Sequence, residues 1–292
     1  MSDPPAGREG NFEFVNSGAI SEQFLSGNRI MTILDKIIDQ TRITIETDRD
    51  RVPASELESM LGDLPPCRDF HAALAAGDEV QLIAEVKKAS PSAGLIRKDF
   101  DPATLAKCYE DGGAACISVL TDEPFFQGSL EYLRQVRSAV DLPLLRKDFI
   151  IDRYQLLQAR IVGADCVLLI AECLSPSELK QLHDQATELG LQTLIELYEP
   201  SNLDAVLATG TRLVGVNNRD LKTFKTSLSH TLDLRPSIPA DRLLVGESGI
   251  VTNDDVLMLG RGGVKAILVG ESLMRQDDVT AATRRLLGKT NG

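Results

Sequence analysis

From Gln81 onward the chain repeats one motif, a short apolar run followed by an amphipathic stretch. The runs are QLIAEV (81–86), ACISVL (115–120), PLLRKD (143–148), DCVLLIA (165–171), QTLIEL (192–197), RLVGVNN (212–218), RLLVGES (242–248) and KAILVG (265–270). Each is rich in Val, Ile and Leu without strict alternation, which predicts strands buried on both faces of a parallel sheet. The stretches between them have helical spacing. In residues 175–189, Leu179, Leu182 and Ala186 mark one face, Ser175 is a cap and Pro176 fits the first helical position. Gly163 and Gly190 stand where C-terminal caps belong. Eight such units, recurring about every 26 residues, predict an α/β fold of the (β/α)8 barrel type. A doubly wound open sheet, the rival, has fewer strands and opens with a glycine-rich turn that is absent after the first run.

The pattern before Gln81 is different. Ile33, Leu34, Ile37, Ile38 and Ile43 recur at helical spacing, and two further helical stretches cover about 54–61 and 67–76. Residues 31–80 therefore read as a helical extension forming a single domain with the barrel of 81–292. The first thirty residues carry Gly, Pro, Ser and Asn without periodicity and read as a disordered arm. They lack the basic start and apolar centre of a secretory signal, and are too acidic for a transit peptide.

Composition narrows the function classes. The 31 basic and 43 acidic residues give a net charge of −12, which argues against affinity built on neutralising nucleic-acid phosphates. The five cysteines, 67, 108, 116, 166 and 173, are odd in number and form no C-x-x-C pair, so a reducing, cytoplasmic setting is expected. Three scattered histidines make no metal site, and no apolar run approaches a membrane span.

The sharper signal is where the ionisable residues fall. Glu85 and Lys87 end the first run, Lys147 the third; Glu196 lies in the fifth, Asn217 and Arg219 end the sixth, and Glu247 and Ser248 the seventh. In a barrel these carboxyl ends converge on one face, and alternation points Glu85 and Lys87 the same way. Charges of both signs in one dry mouth suit acid–base chemistry. Two glycine-containing turns, 246–250 and 269–273, follow the seventh and eighth runs, where barrels often hold a phosphate on backbone N–H groups.

IAEVKKASPSAG, then SVLTD with FFQGS, LLRKDFIID, LIELY, GVNNRDL, GESGI and LVGESLM, in this order, resemble indole-3-glycerol-phosphate synthase of tryptophan biosynthesis, over about residues 31–288. The resemblance implies a barrel with extra N-terminal helices capping the catalytic end. It implies a carbon–carbon lyase that closes, decarboxylates and dehydrates 1-(2-carboxyphenylamino)-1-deoxyribulose 5-phosphate, without metal or organic cofactor. By resemblance Lys147 is the general acid, Lys87 its partner in dehydration, Glu196 the base and Glu85 an electrostatic guide. Asn217, Glu247 and Ser248 complete the catalytic set, and Arg219 orients substrate. Phe126 and Phe149 line the anthranilate pocket, while Ser90, Gly249, Gly270 and the backbone of Glu271 take the phosphate. Loop 90–94 resembles a mobile lid. A monomer or weak homo-oligomer is implied, with association with other tryptophan-pathway enzymes left open, and neither nucleic acid nor membrane as partner.

Two positions depart from the family pattern. Ala93 replaces a common loop lysine, and Glu172 ends the fourth run where small or apolar residues are usual. Glu172 is expected to be solvated or ion-paired, or else to add negative charge at the pocket rim. Met31 begins a stretch similar to the family's usual start and is a candidate initiator. The isomerase of the same pathway uses a cysteine–aspartate pair, which leaves the lysines of IAEVKK and LRKDF without a task. A Schiff-base aldolase would need Lys147 as an imine former, and a ligand-sensing barrel would be expected to have lost its ionisable residues.

Overall fold

Eight parallel strands close into one barrel in chain order. They are β1 Gln81–Val86, β2 Cys116–Leu120, β3 Leu144–Lys147, β4 Cys166–Ile170, β5 Gln192–Leu197, β6 Leu213–Asn217, β7 Leu243–Glu247 and β8 Ala266–Val269. All eight predicted runs are strands, most of them a residue shorter at one or both ends. The computed structural model describes residues 25–26, 29–220 and 223–289. Of the arm expected at 1–30, only the antiparallel pair Leu25–Ser26 with Arg29–Ile30 falls within them.

Strand alternation produces two apolar layers. Outward residues such as Leu82, Ala84, Val167, Ile195 and Val214 pack against the surrounding helices. Inward residues, including Ile83, Leu145, Leu168, Leu194 and Val245, fill the barrel. At about 25 cal/mol per Å² of apolar surface removed from water, these layers supply the main stabilising term.

The N-terminal helices are α1 Ile33–Arg51, α2 Ala54–Ser59 and α3 Phe70–Ala75. A capping box starts α1: Asp35 N–H donates to Thr32 Oγ1, and Thr32 N–H to the Asp35 carboxylate. Ile37, Ile38, Thr41 and Ile45 are its buried stripe, whereas Ile43 is exposed. The sequence reading placed Ile43 on that stripe, but the i, i+4 steps run through Thr41 to Ile45. Ile45 and Leu57 of α2 pack on Tyr154 and Leu157, which lie in α7 Arg153–Ile161.

The expected cap over the catalytic end is provided by α1, whose Ile33, Leu34 and Ile37 line the mouth. By contrast α3 closes the opposite floor. Phe70 and Leu74 join the interior layer, His71 N–H donates to Gln192 Oε1 at the start of β5, and Cys116 Sγ at the start of β2 lies against Phe70 O.

The remaining helices are α4 Pro102–Gly112, α5 Glu123–Phe126, α6 Leu130–Ala139, α8 Pro176–Glu188, α9 Leu203–Thr209, α10 Ser229–Leu234, α11 Asn253–Arg261, α12 Glu271–Met274 and α13 Val279–Leu286. Ser175 caps α8 through a capping box with Glu178, and Gly163 and Gly190 adopt the left-handed conformation expected at helix ends.

Candidate active site

The carboxyl ends of the strands open onto a cavity of about 600 Å³. All fourteen residues singled out in the sequence line it: Glu85, Lys87, Ser90, Phe126, Lys147, Phe149, Glu196, Asn217, Arg219, Glu247, Ser248, Gly249, Gly270 and Glu271. Their convergence follows from register, since Ile170 pairs with Glu196 and Asn217 with Glu247 across neighbouring strands.

Two charged groupings occupy the mouth. Lys87 Nζ lies 2.6 Å from Glu85 Oε2, both side chains on the inward face of β1 and its extension. Lys147 Nζ lies 2.9 Å from Glu196 Oε2 and 3.5 Å from Glu247 Oε2. Asn217 Nδ2 donates to Glu196 Oε1 at 3.0 Å, and Arg219 N–H donates to Asn217 Oδ1 at 3.0 Å. Burial alone would discharge Lys147, but the carboxyl groups around it, Glu196 foremost, outweigh it and hold the ammonium above its usual range. Burial also opposes charge on Glu196; the Lys147 charge and hydrogen bonds reverse this and keep its carboxyl low.

On one side of the mouth Phe126 and Phe149 stand with ring centroids 6.0 Å apart, offering an aromatic wall. On the other, two turns present backbone N–H groups. Ser248 and Gly249 are both left-handed, with φ of 67° and 78°. The sequence reading placed Gly246 and Glu247 in this turn; they belong to β7, and the turn starts at Ser248. Gly270 precedes the short α12, whose first amides lack intrahelical acceptors. Ser272 Oγ donates to Ile250 O at 3.1 Å and ties the two turns together. The Glu271 carboxylate pairs with Arg275 at 2.8 Å.

Loop 90–94 is a small hairpin, with Ala89–Ser90 paired to Gly94–Leu95. Arg219 NH1 donates to Ser92 Oγ at 3.0 Å, joining this loop to the end of β6. The Glu172 side chain is half-buried, forms no ion pair among the described residues and does not line the cavity. Its Oε1 accepts from Tyr198 N–H, Glu199 N–H and Asn202 Nδ2, organising the turn after β5.

A buried network behind Lys147 escaped the sequence reading. Arg146, on the outward face of β3, donates to Asp148 Oδ2 at 2.8 Å, to Thr121 Oγ1 at 3.0 Å and to Gln155 O at 2.7 Å. Thr121 Oγ1 donates to the same Asp148 oxygen, and Asp148 Oδ1 accepts Phe149 N–H at 2.8 Å. The loop carrying Phe149 is thereby fixed to the strand carrying Lys147. The only signal in the sequence was two charges flanking Lys147, a common surface pattern.

Beside this network, burial and the nearby Asp148 push the Asp122 carboxyl up to about 6, against the N–H groups of Phe125 and Phe126 that it caps. Below an unfolded-state pKa of about 4 the group is neutral in both states, so this cost is absent; stability is lost as pH rises to about 6. Asp122→Asn keeps a capping oxygen. It is expected to remove that slope and to gain about 1–3 kcal/mol at neutral pH, none below pH about 4, as measured by urea melts.

Among the described residues no cluster of three or more His, Cys, Asp or Glu is placed to hold a metal ion, and no helix is long and apolar enough to cross a membrane.

Comparisons with known proteins bear on the family and on the fold. Residues 34–286 match the family profile of indole-3-glycerol phosphate synthase. An indole-3-glycerol phosphate synthase of Rhodopirellula baltica is 72% identical over 257 residues, covering 88% of this chain and 99% of the relative. That of Azospirillum brasilense is 47% identical, covering 87% and 98%. Among solved structures, 3-hexulose-6-phosphate synthase of Salmonella typhimurium superposes with a TM-score of 0.59 at 12% identity, covering 72% of this chain and 97% of that one. A mutant tryptophan synthase α-subunit of Pyrococcus furiosus gives 0.54 at 15%, covering 71% and 98%, and both likenesses speak for the barrel alone. The profile spans the helical extension and all eight strands, and the nearly end-to-end relative shares most of its residues, so the chain belongs to the indole-3-glycerol phosphate synthase family.

Proposed function

We propose that Lys147 is the general acid of this enzyme, Glu196 its base, and Lys87 the second acid. The reaction is the family's lyase step in tryptophan biosynthesis, which turns 1-(2-carboxyphenylamino)-1-deoxyribulose 5-phosphate into indole-3-glycerol phosphate, carbon dioxide and water. The observation that carries these roles is the Lys147 ammonium held at 2.9 Å from Glu196 at the centre of the mouth.

The chemistry runs in three stages. An aromatic carbon attacks the ketone, whose oxygen gains negative charge, and a cation that stays protonated stabilises and then protonates it. Carbon dioxide then leaves, its bonding electrons returning to the ring. Finally the hydroxyl departs with a proton from Lys87, while Glu196 takes the proton released from the ring carbon or amine. Glu85, 2.6 Å from Lys87, keeps that ammonium in place. Asn217 fixes the Glu196 carboxylate by its hydrogen bond, and Arg219 orients substrate from the end of β6.

Ser90, the backbone at Gly249 and Gly270, and the Glu271 N–H take the phosphate dianion, with Ser248 and Glu247 shaping the wall between phosphate and ring. Pairing with Arg275 turns the Glu271 carboxylate away from repelling that dianion. Phe126 and Phe149 receive the anthranilate ring. Loop 90–94 closes over substrate and carries its Arg219 contact with it. Helices α1–α3 and the barrel act as one domain, with the arm before Met31 outside it. The five cysteines are free, which supports a cytoplasmic setting, and the protein is read as a monomer or weak homo-oligomer. Fluorescent indole-product formation by the purified protein on synthetic substrate tests the assignment; no product from a well-folded sample would overturn it.

A further inference from the structure

Three carboxyl groups and two ammonium groups meet in the mouth, and Glu85, Glu196 and Glu247 are all buried. A buried carboxylate without a cation of its own costs several kcal/mol and takes up a proton instead. The contacts identify which one. Glu85 has Lys87 at 2.6 Å. Glu196 has Lys147 at 2.9 Å on one oxygen and Asn217 at 3.0 Å on the other. Glu247 has only the shared Lys147, at 3.5 Å, and its Oε1 is buried with no hydrogen-bond partner.

The backbone has made room for that oxygen. Gly215 pairs with Glu196 across β5 and β6, and a Cβ on it would lie 2.3 Å from Glu247 Oε1, so a larger residue would push that carboxyl from its place. Glu196 and Glu247 both approach the same Lys147 Nζ, so their carboxyl groups stand side by side with one ammonium between the two. Two buried carboxyl groups that share one cation are relieved when one of them carries a proton.

We propose that Glu247 is a neutral carboxylic acid in the resting enzyme, donating its proton in a hydrogen bond to Glu196 and holding Glu196 as the ionised base. Glu247 is thus a positioning residue acting through Glu196. The groups facing it agree in direction: burial and the Glu196 and Glu85 charges raise its carboxyl, and Lys147 alone opposes them. The mouth then sets two ammonium groups and the Arg219 guanidinium against two carboxylates, a positive balance suited to a substrate with both a phosphate and a carboxylate. That consequence rests on the function proposed above; the protonation state does not.

The test has a spectroscopic arm and a kinetic arm. Infrared difference spectra of the resting protein at neutral pH are expected to show a protonated-carboxyl band that disappears in Glu247→Gln. Should that variant not fold, Glu247→Asp, with its carboxyl drawn back by one methylene, is expected to shift the band and so assign it. Glu247→Gln keeps a donor toward Glu196, so the acidic limb of its kcat/KM profile should stay within about half a pH unit of the parent. Glu247→Leu keeps no donor, so the acidic limb of its kcat/KM profile should rise by about one pH unit. A resting protein without the band, or a band that survives in Glu247→Gln, overturns the proposal whatever the turnover shows. So does an acidic limb in a folded Glu247→Gln displaced as far as that of Glu247→Leu. Unaltered turnover in Glu196→Gln would instead overturn the assignment of the base and leave the band unaffected, which keeps the two failures distinct.

Discussion

Lys147→Met is expected to lower turnover by about 10² to 10⁴, the effect of removing one transition-state acid, or about 2.7–5.5 kcal/mol of barrier. Its environment adds a second consequence. Lys147 is the cation nearest both Glu196 and Glu247, so a methionine leaves two buried carboxyls facing each other without an ammonium. Breaking a buried pair from one side costs about 3–5 kcal/mol, unless the carboxyl takes up a proton. The variant should therefore melt below the parent at neutral pH and recover as pH falls, because the orphaned Glu196 becomes protonated. The indole-product assay and melts at two pH values read the two effects separately. Turnover near that of the parent would remove Lys147 from the mechanism. An unchanged melt at neutral pH would show that the Glu196 charge is satisfied by other groups, Asn217 foremost.

The barrel was legible because burial on both faces leaves so strong a mark on short parallel strands. Alternation carried the reading further: Glu85 and Lys87 do share the inward face, and Glu196 and Glu247 do reach the mouth. What stayed hidden depends on contacts between distant segments. Helical spacing placed a helix at about 67–76, yet not that its Phe70 and Leu74 close the barrel floor. Ile43 looked as apolar as Ile45, and only the packing on Tyr154 and Leu157 separates them. Glu172 carries no local sign that its donors lie at 198–202. Gly270 was read for its backbone N–H, but a Cβ there would lie 2.3 Å from Glu85 Oε2, a steric demand quite apart from phosphate.

Removing residues through Asp50, so that the chain starts at Arg51, should abolish activity and most of the stability. The variant loses Ile37, Ile38 and Ile45, all buried, and with Ile33, Leu34 and Ile37 it loses one wall of the cavity. At about 1.5–3 kcal/mol for each fully buried side chain, as an upper estimate, the loss is a large share of a typical stability of about 5–15 kcal/mol. Polar anchoring goes as well. Tyr154 Oη donates to Asp48 O, Gln158 Nε2 donates to Asp48 Oδ2, and Arg49 pairs with Asp152, the residue that caps α7. Because α7 follows directly on the loop of Lys147 and Phe149, its loosening reaches the site itself. A chain beginning at Met31 keeps the Thr32 cap and the whole of α1, and is the reference; its stability should lie within about 0.5 kcal/mol of the full chain. Urea melts and the indole-product assay on the pair decide the matter. If the chain starting at Arg51 melts with the full protein and turns over substrate, α1 is an ornament on the barrel and not a wall of its active site.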